Sequence, residues 1–467
     1  MIGGHIPRPR LALLMLPLLV ELTLGMAMGW VGTALAARQG DDQAAAFALG
    51  HQVAGLLFVL LRVVGAGISV VVAQQLGAGL AQEARQTGRM SILASLALGL
   101  LLALVSALPA SAWMRLLQAP EDIAPAAAAF LVALAPALVL DACVSAQTSV
   151  LRAHVQVRAT LLINLLMQTL HLVLAALWMP VLGLAGFAAA MLVSRLAGVG
   201  MAAHWGRVHW SPLDTAAAGG RGAYRALQSL KAVLHVGLPA AAENILYRLC
   251  ATVSFAVAGS LGAATLTAQA YAMQFNMLTM LPGVALGLSM EVLVGHAVGH
   301  RALRSAHQQV LRALAWGLPC SVLLAAAVAL AGPWLLPHFT ADPEITALAL
   351  LALWWTVLLE PGRTFNLVVI NGLRAAGDTR FPVMAGALSM VVVLGGGSWL
   401  LGHERGLGIN GIWIAYAADE WVRGLMMWVR WKQLRWLPHA RAVIRQRRSA
   451  SPRAPLPTAD PAAVQAR

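Results

Sequence analysis

Twelve apolar stretches run along this chain, and each is long enough to cross a bilayer, which takes about 20 residues of helix. In the first half they lie at about 11–36, 45–73, 90–109, 123–149, 160–180 and 184–206. In the second half they lie at about 233–258, 265–294, 309–332, 346–371, 382–402 and 409–430. Of the 467 residues, 60% are apolar and only 11% are charged. A soluble core cannot absorb that much apolar sequence, because burial is limited by surface-to-volume scaling. The chain therefore reads as an all-α integral membrane protein with 12 transmembrane helices. Its first run, behind Arg8 and Arg10, is too long for a signal-peptide core and has no evident cleavage site, so it reads as a retained first span.

The two sets of six are copies. Leu16-Pro17 with Glu21 returns as Leu238-Pro239 with Glu243, Gly65 as Gly287, and Gly77 as Gly299, always 222 residues later. Leu151-Arg152-Ala153 with Arg158 returns at the same spacing as Leu373-Arg374-Ala375 with Arg380. Near the ends, Leu182-Gly183-Leu184-Ala185-Gly186 matches Leu407-Gly408-Ile409-Asn410-Gly411 at a spacing of 225. Matches in this order across the chain mark a duplicated domain. The expected division is a first lobe over 1–206, a linker over 207–232 and a second lobe over 233–430. A basic tail follows over 431–467, disordered from about Ser449.

Orientation follows from the positive residues in the loops. One side collects Arg85, Arg89, Arg152, Arg158, Arg207, Lys231, Arg301, Arg304, Arg374 and Arg380, together with both termini, while the other holds only Arg38, Arg115 and Arg405. Both termini are thus expected in the cytoplasm. Six spans per half is an even number, so both copies enter the membrane the same way and their pseudo-twofold axis runs along the membrane normal. The formal charge of +14 sits in loops and tail without an aromatic-interleaved basic surface, which argues against nucleic acid as a partner. Cys143, Cys250 and Cys320 fall in apolar runs without metal spacing. No phosphate-binding glycine loop, zinc spacing or nucleophile elbow is visible, so neither an enzyme, a cofactor site nor an ATP-driven pump is expected.

Asn371-Gly372-Leu373-Arg374-Ala375-Ala376-Gly377-Asp378 falls in a connection on the cytoplasmic side. There an Arg can meet lipid phosphates or cap helix carbonyls, and Gly377 permits a tight reversal. With Val294-Gly295-His296-Ala297-Val298-Gly299, Gly406 to Trp413, and Asp419-Glu420-Trp421 with Arg423, this order of motifs resembles the multidrug and toxic compound extrusion (MATE) family over residues 10–436. The resemblance implies two six-helix lobes in a V around a central cavity. It also implies export of organic, often cationic compounds in exchange for protons or sodium ions, by a working monomer in the inner membrane. Two departures matter. Where NorM-like and DinF-like members carry an Asp on the first helix this chain has Gly32, and where NorM-like members carry a Glu on the seventh it has Tyr247. The family's usual ion site cannot be carried over.

Other intramembrane polar groups are therefore the candidates for ion coupling or cavity lining, since a charge in a span is costly and faces a cavity or a partner. Glu21 and Glu243 each lie four residues past a helix-breaking Pro, at equivalent positions; the competing reading is a structural pair, for instance with Arg62 or Arg248. Glu360 and Arg363 can pair on one helix face beside Pro361-Gly362, and Asp141 is the repeat equivalent of Arg363. Asn164, Gln168 and His171 form one polar stripe, either wetting a cavity or bonding between helices. Asp419, Glu420 and Arg423 read as packing groups of the last span, and Met273, Met277, Met280 and Met290 as adaptable apolar contacts or plain core. The expectation is a cation-coupled exporter of amphiphilic organic compounds, with a flippase for a lipid-linked saccharide as the alternative.

Overall fold

The computed structural model describes residues 11–210 and 221–450, and everything regular in them is helical. The first half comprises α1 (Leu11–Ala37), α2 (Asp41–Gly77), α3 (Ala81–Ala107), a short α4 (Ala110–Leu116), α5 (Ala124–Ala153), α6 (Val157–Leu182) and α7 (Leu184–Trp210). The second comprises α8 (Arg221–Ser260), α9 (Ala263–Thr279), α10 (Leu281–Gly299), α11 (Leu303–Leu335), α12 (Pro343–Ala375), α13 (Arg380–Ser389) and α14 (Gly408–Lys432), followed by α15 (Leu437–Ala450).

Each of the twelve expected segments coincides with helix, and nine helical stretches among the described residues are long and apolar enough to span a membrane. The eighth segment is split. Met280 closes α9 and Pro282 opens α10, where its missing N–H is not needed. The eleventh starts as α13 and widens into π-helical turns over Met390–Gly396 and Ser398–Glu404. In contrast, α12 continues through Pro361.

The first-half helices pack on one another around α5, and the second-half helices around α12. Those two helices are repeat equivalents and carry long buried faces. The lobes meet where α2 lies against α8 and α10, and α1 against α10. Closest approach needs glycine. A Cβ on Gly77 would stand 2.4 Å from the His296 carbonyl oxygen, and one on Gly299, its repeat equivalent, 2.3 Å from the Gln74 carbonyl oxygen. Across the same seam the Gln74 amide donates to the Ala375 carbonyl at 2.9 Å, and His296 Nε2 donates to the Ala153 carbonyl at 2.8 Å. Gln74 matches His296 and Ala375 matches Ala153, so the seam is its own pseudo-twofold image.

Two sequence expectations are redrawn, and a third falls outside the described residues. The stretch read as a linker is mostly helix, since α7 reaches Trp210 and α8 begins at Arg221; its centre, 211–220, lies outside the described residues. The tail is not simply a polar extension: α15 docks on the body, with Trp436 stacked on Trp431 at 4.4 Å and Ala440 buried. The disorder expected from about Ser449 falls almost wholly outside the described residues.

Candidate functional site

Between the lobes lies a cavity of about 340 Å³, walled by α1, α2, α5, α6 and α7 on one side and by α8, α10 and α12 on the other. A volume of this order suits a small organic ligand. Its polar wall combines uncharged side chains with charges held in pairs. Glu21 on α1 accepts from Arg152 at the end of α5, 3.2 Å away. At the equivalent place in the second lobe, Glu243 on α8 is bonded to Arg374 at the end of α12. Both pairs join residues 131 apart, as the duplication requires. A third pair, Asp141 with Arg195, closes at 2.8 Å.

These contacts replace the partners expected from the sequence. The sequence offers lipid phosphates and helix carbonyls as partners for the arginine of this motif, and Arg62 or Arg248 only as examples of a structural partner for Glu21 and Glu243. Instead the two arginines turn inward from the helix ends, where the half-buried Glu21 holds one guanidinium and the buried Glu243 the other. Arg248 is exposed.

Of the other sequence candidates, Asn164 and Gln168 line the cavity beside Asp141, Arg195 and Glu21. His171 does not. One helical turn farther along α6 its ring meets the edge of Phe187, 4.7 Å between centroids, and it is 3% exposed. Glu360 and Arg363 also lie off the cavity wall, inside the second lobe. Arg363 donates to Glu360 at 2.8 Å, to Asn276 at 2.9 Å and to Glu420 at 3.2 Å. Arg423 bridges Glu420 and Asp419, whose other oxygen accepts from Ser389 at 2.7 Å. Asp419, Glu420 and Arg423 thus tie α14 to α12 and α13. Met290 is buried core.

The Arg363–Glu420 pair is the repeat image of Asp141–Arg195 with its signs exchanged. In the first lobe the acid stands on α5 and the base on α7; in the second the base stands on α12 and the acid on α14. Duplication preserved the ion pair and inverted its polarity.

One group escaped the sequence reading altogether. Glu291 on α10 lines the cavity, is 4% exposed, and has no hydrogen-bond or ion-pair partner among the described residues. It sits well past Pro282, which opens α10 without kinking it, and its repeat equivalent is Ser69, so neither a kink nor the duplication pointed to it. A lone Glu inside an otherwise uncharged span was the available signal.

The family model MatE matches residues 17–177 and 239–397, most of each half. The chain belongs to the MATE family. It is 28% identical over 427 residues to the uncharacterized transporter YisQ of Bacillus subtilis, covering 90% of this chain and 93% of YisQ. It is 26% identical over 457 residues to the probable multidrug resistance protein NorM of Bradyrhizobium diazoefficiens, with 90% and 92% covered. Among solved structures, an outward-facing multidrug resistance MATE transporter of the MOP superfamily superposes with a TM-score of 0.86 at 18% identity, covering 94% of this chain and 99% of that one. A MOP superfamily transporter from Pyrococcus furiosus, described as having a binding pocket of reverse polarity, superposes at 0.84 with 19% identity over 93% and 98%. The bent form of the Vibrio cholerae MATE transporter VcmN gives 0.81 at 20% identity over 93% and 97%. At these identities the structural likeness shows the fold, and the family assigns a membrane efflux transporter rather than an enzyme.

For a MATE chain, its two departures have a local cause. A side chain at Gly32 would come within 2.8 Å of Phe47 and 2.9 Å of Phe187, so two rings fill the space where other branches place a carboxylate. Tyr247 lies under the Arg423 guanidinium, 5.8 Å from its ring centroid, as part of the second-lobe network.

Proposed function

We propose that this protein is a proton-coupled antiporter that exports amphiphilic organic cations across the inner membrane, with both termini in the cytoplasm, acting as a monomer in contact with membrane lipid. The observation that carries the reading is Glu291, a cavity-facing carboxylate with no hydrogen-bond or ion-pair partner among the described residues. An ionised carboxylate in a cavity attracts a cation, and a protonated one releases it. Coupling requires that occupancy differ between the two lobe arrangements. Protonation of Glu291 from outside would expel the substrate there; after the lobes rock about the α2–α10 seam, loss of the proton to the cytoplasm would readmit substrate. The proton is taken as the coupling ion because a single carboxylate is enough to bind and release it.

In this reading Glu21, Asp141, Asn164 and Gln168 shape the cavity, Glu243 acts through Arg374, and Glu360 with Arg363 is a clamp inside the second lobe. His171 is core. The flippase alternative wants free guanidiniums for a pyrophosphate. Arg152, Arg195 and Arg374 do reach the cavity, yet each is already engaged by a carboxylate.

The test is efflux of a fluorescent organic cation from energised cells lacking their own exporters, with the proton and sodium gradients collapsed separately. Loss of efflux with the proton gradient, and in Glu291→Gln, is expected. Efflux that survives proton collapse, or survives in Glu291→Gln, would overturn the proposal.

A further inference from the structure

The basic side chains of α14 and α15 divide into two sets. Arg423 is held by Asp419 and Glu420, and Arg430 by Asp378, with its guanidinium 4.3 Å from the Phe381 ring centroid. Lys432, Arg435, Arg441 and Arg445 are exposed, and none of their side chains has an ion-pair or hydrogen-bond partner among the described residues. The sequence provides no acid beside them, because no Asp or Glu stands between Glu420 and Asp460. Asp378, which α15 reaches through His439 at 3.9 Å, is 1% exposed and already holds Arg430.

Their placement follows from the helices that carry them. On α14, Val422, Leu425 and Val429 turn outward at helical spacing, as the lipid-facing stripe of a span does. Lys432 follows three residues on, so the apolar stripe ends in a charge where acyl chains give way to head groups. After a short turn, α15 divides its faces. Trp436 and Ala440 are buried in the seam cluster, and Leu437, Val443 and Ile444 pack against it. Arg441 and Arg445, one helical turn apart, occupy a face that docking leaves free. The apolar face of α15 is covered by protein, so the helix cannot sink into the bilayer as an interfacial helix would. What it presents to a membrane is charge.

Unpaired cations next to the end of a span suit the phosphates of a lipid surface, since that attraction fades within a Debye length. We propose that Lys432, Arg435, Arg441 and Arg445 bind anionic phospholipid head groups on the terminus side of the membrane, and that bound lipid keeps α15 seated on the body. The seated helix bears on the transport core. Val443 closes over Gly377, coming 2.8 Å from its Cβ position, three residues past the cavity-lining Arg374. The helix also lies against α10 of the lobe seam. Lipid charge is thereby connected to the ends of α10 and α12.

The experiment uses the purified full chain in nanodiscs of phosphatidylcholine, with or without phosphatidylglycerol. A polarity-sensitive dye on Ala442→Cys, an exposed position of α15, reports contact with head groups; Cys320→Ser removes the partly buried thiol, and Cys143 and Cys250 are buried. Amide hydrogen exchange along α15 reports its seating. Phosphatidylglycerol should shift the dye emission to the blue and slow α15 exchange at least about tenfold, since each basic side chain near an anionic surface is worth about fivefold in affinity. High salt should reverse both effects. So should the combined Lys432→Gln, Arg435→Gln, Arg441→Gln and Arg445→Gln variant. Equal α15 exchange of the wild type in the two nanodiscs overturns the proposal without any variant. Slowed exchange with an unchanged dye, or the same slowing in the four-fold variant, places the lipid elsewhere and also overturns it. If polyglutamate or RNA protects α15 in phosphatidylcholine and phosphatidylglycerol does not, the face docks a soluble polyanion and the lipid assignment falls. None of these outcomes bears on the antiport reading, which rests on Glu291.

Discussion

At the scale of single residues, the cavity is framed by carboxylate–guanidinium pairs largely withdrawn from water, Glu243 with Arg374 among them. Breaking such a pair by removing one partner leaves a buried charge alone, which costs about 3–5 kcal/mol, whereas removing both partners costs far less. Arg374→Gln should therefore lower the thermal unfolding midpoint of the detergent-solubilised protein, and Glu243→Gln combined with Arg374→Gln should recover most of the loss. A fluorescence-monitored melt of the two variants checks this; equal destabilisation in both would contradict it. The histidines on the terminus-side surface offer a second test. His154, in the turn after α5, is pushed down to about 4 by burial and by His209, whose ring lies 4.0 Å away. It stays neutral in the folded protein while the unfolded chain takes up a proton below about 6.5. Its contribution to stability is thus complete above that pH and is lost as the pH falls towards 4. His154→Gln should flatten the melting profile across that window. The sequence placed Glu21 and Glu243 together as equivalents and could also have paired them with Arg152 and Arg374, since both spacings repeat. Those arginines instead looked like ordinary topology signals, because a loop position does not say which way a long side chain turns.

At the scale of elements, the turns were partly legible. Gly377 turns with φ of 92° as its sequence context suggested, but its repeat equivalent Val155 holds φ of 62° without glycine's freedom, and Arg301 at 61° matches Gly79 at 75°. The repeat kept the backbone path after the residue that made it easy had changed. The α2–α10 seam depends on glycine more strictly, because the opposing atoms are backbone and cannot move aside. Gly299→Val should force the seam apart, abolishing cation efflux while the protein still inserts. The distance between spin labels on the terminus-side ends of α2 and α10 should broaden or lengthen; an unchanged distance with full transport would show the seam to be passive. The docking of α15 was not legible at all. Its basic sequence reads as tail, yet the stacked Trp431 and Trp436, the burial of Ala440 in the seam cluster, and the close fit of Val443 over Gly377 hold it to the body.

For the whole molecule, two lobes with their own cores share a third apolar cluster at the seam, in which Val70, Val294, Val368 and Trp431 take part. Because lobe recognition is carried by that surface, the two halves should assemble when expressed as separate chains cut within 211–220. Co-purification through a tag on one half, with efflux retained, is the expected result; separate halves that fail to associate would assign the linker a larger role.

Twelve helices, their duplication and the family were determined by the sequence alone, because the bilayer length requirement and a repeat at fixed spacing are written along the chain. Which charges meet was decided by tertiary structure. Glu21 and Arg152 are 131 residues apart, and nothing local aims one at the other. That Glu291 shares the cavity with Arg152 and Arg374 yet pairs with neither is more remote still from sequence. A missing partner is a property of everything packed around a side chain, and it becomes visible only when every neighbouring helix is in place.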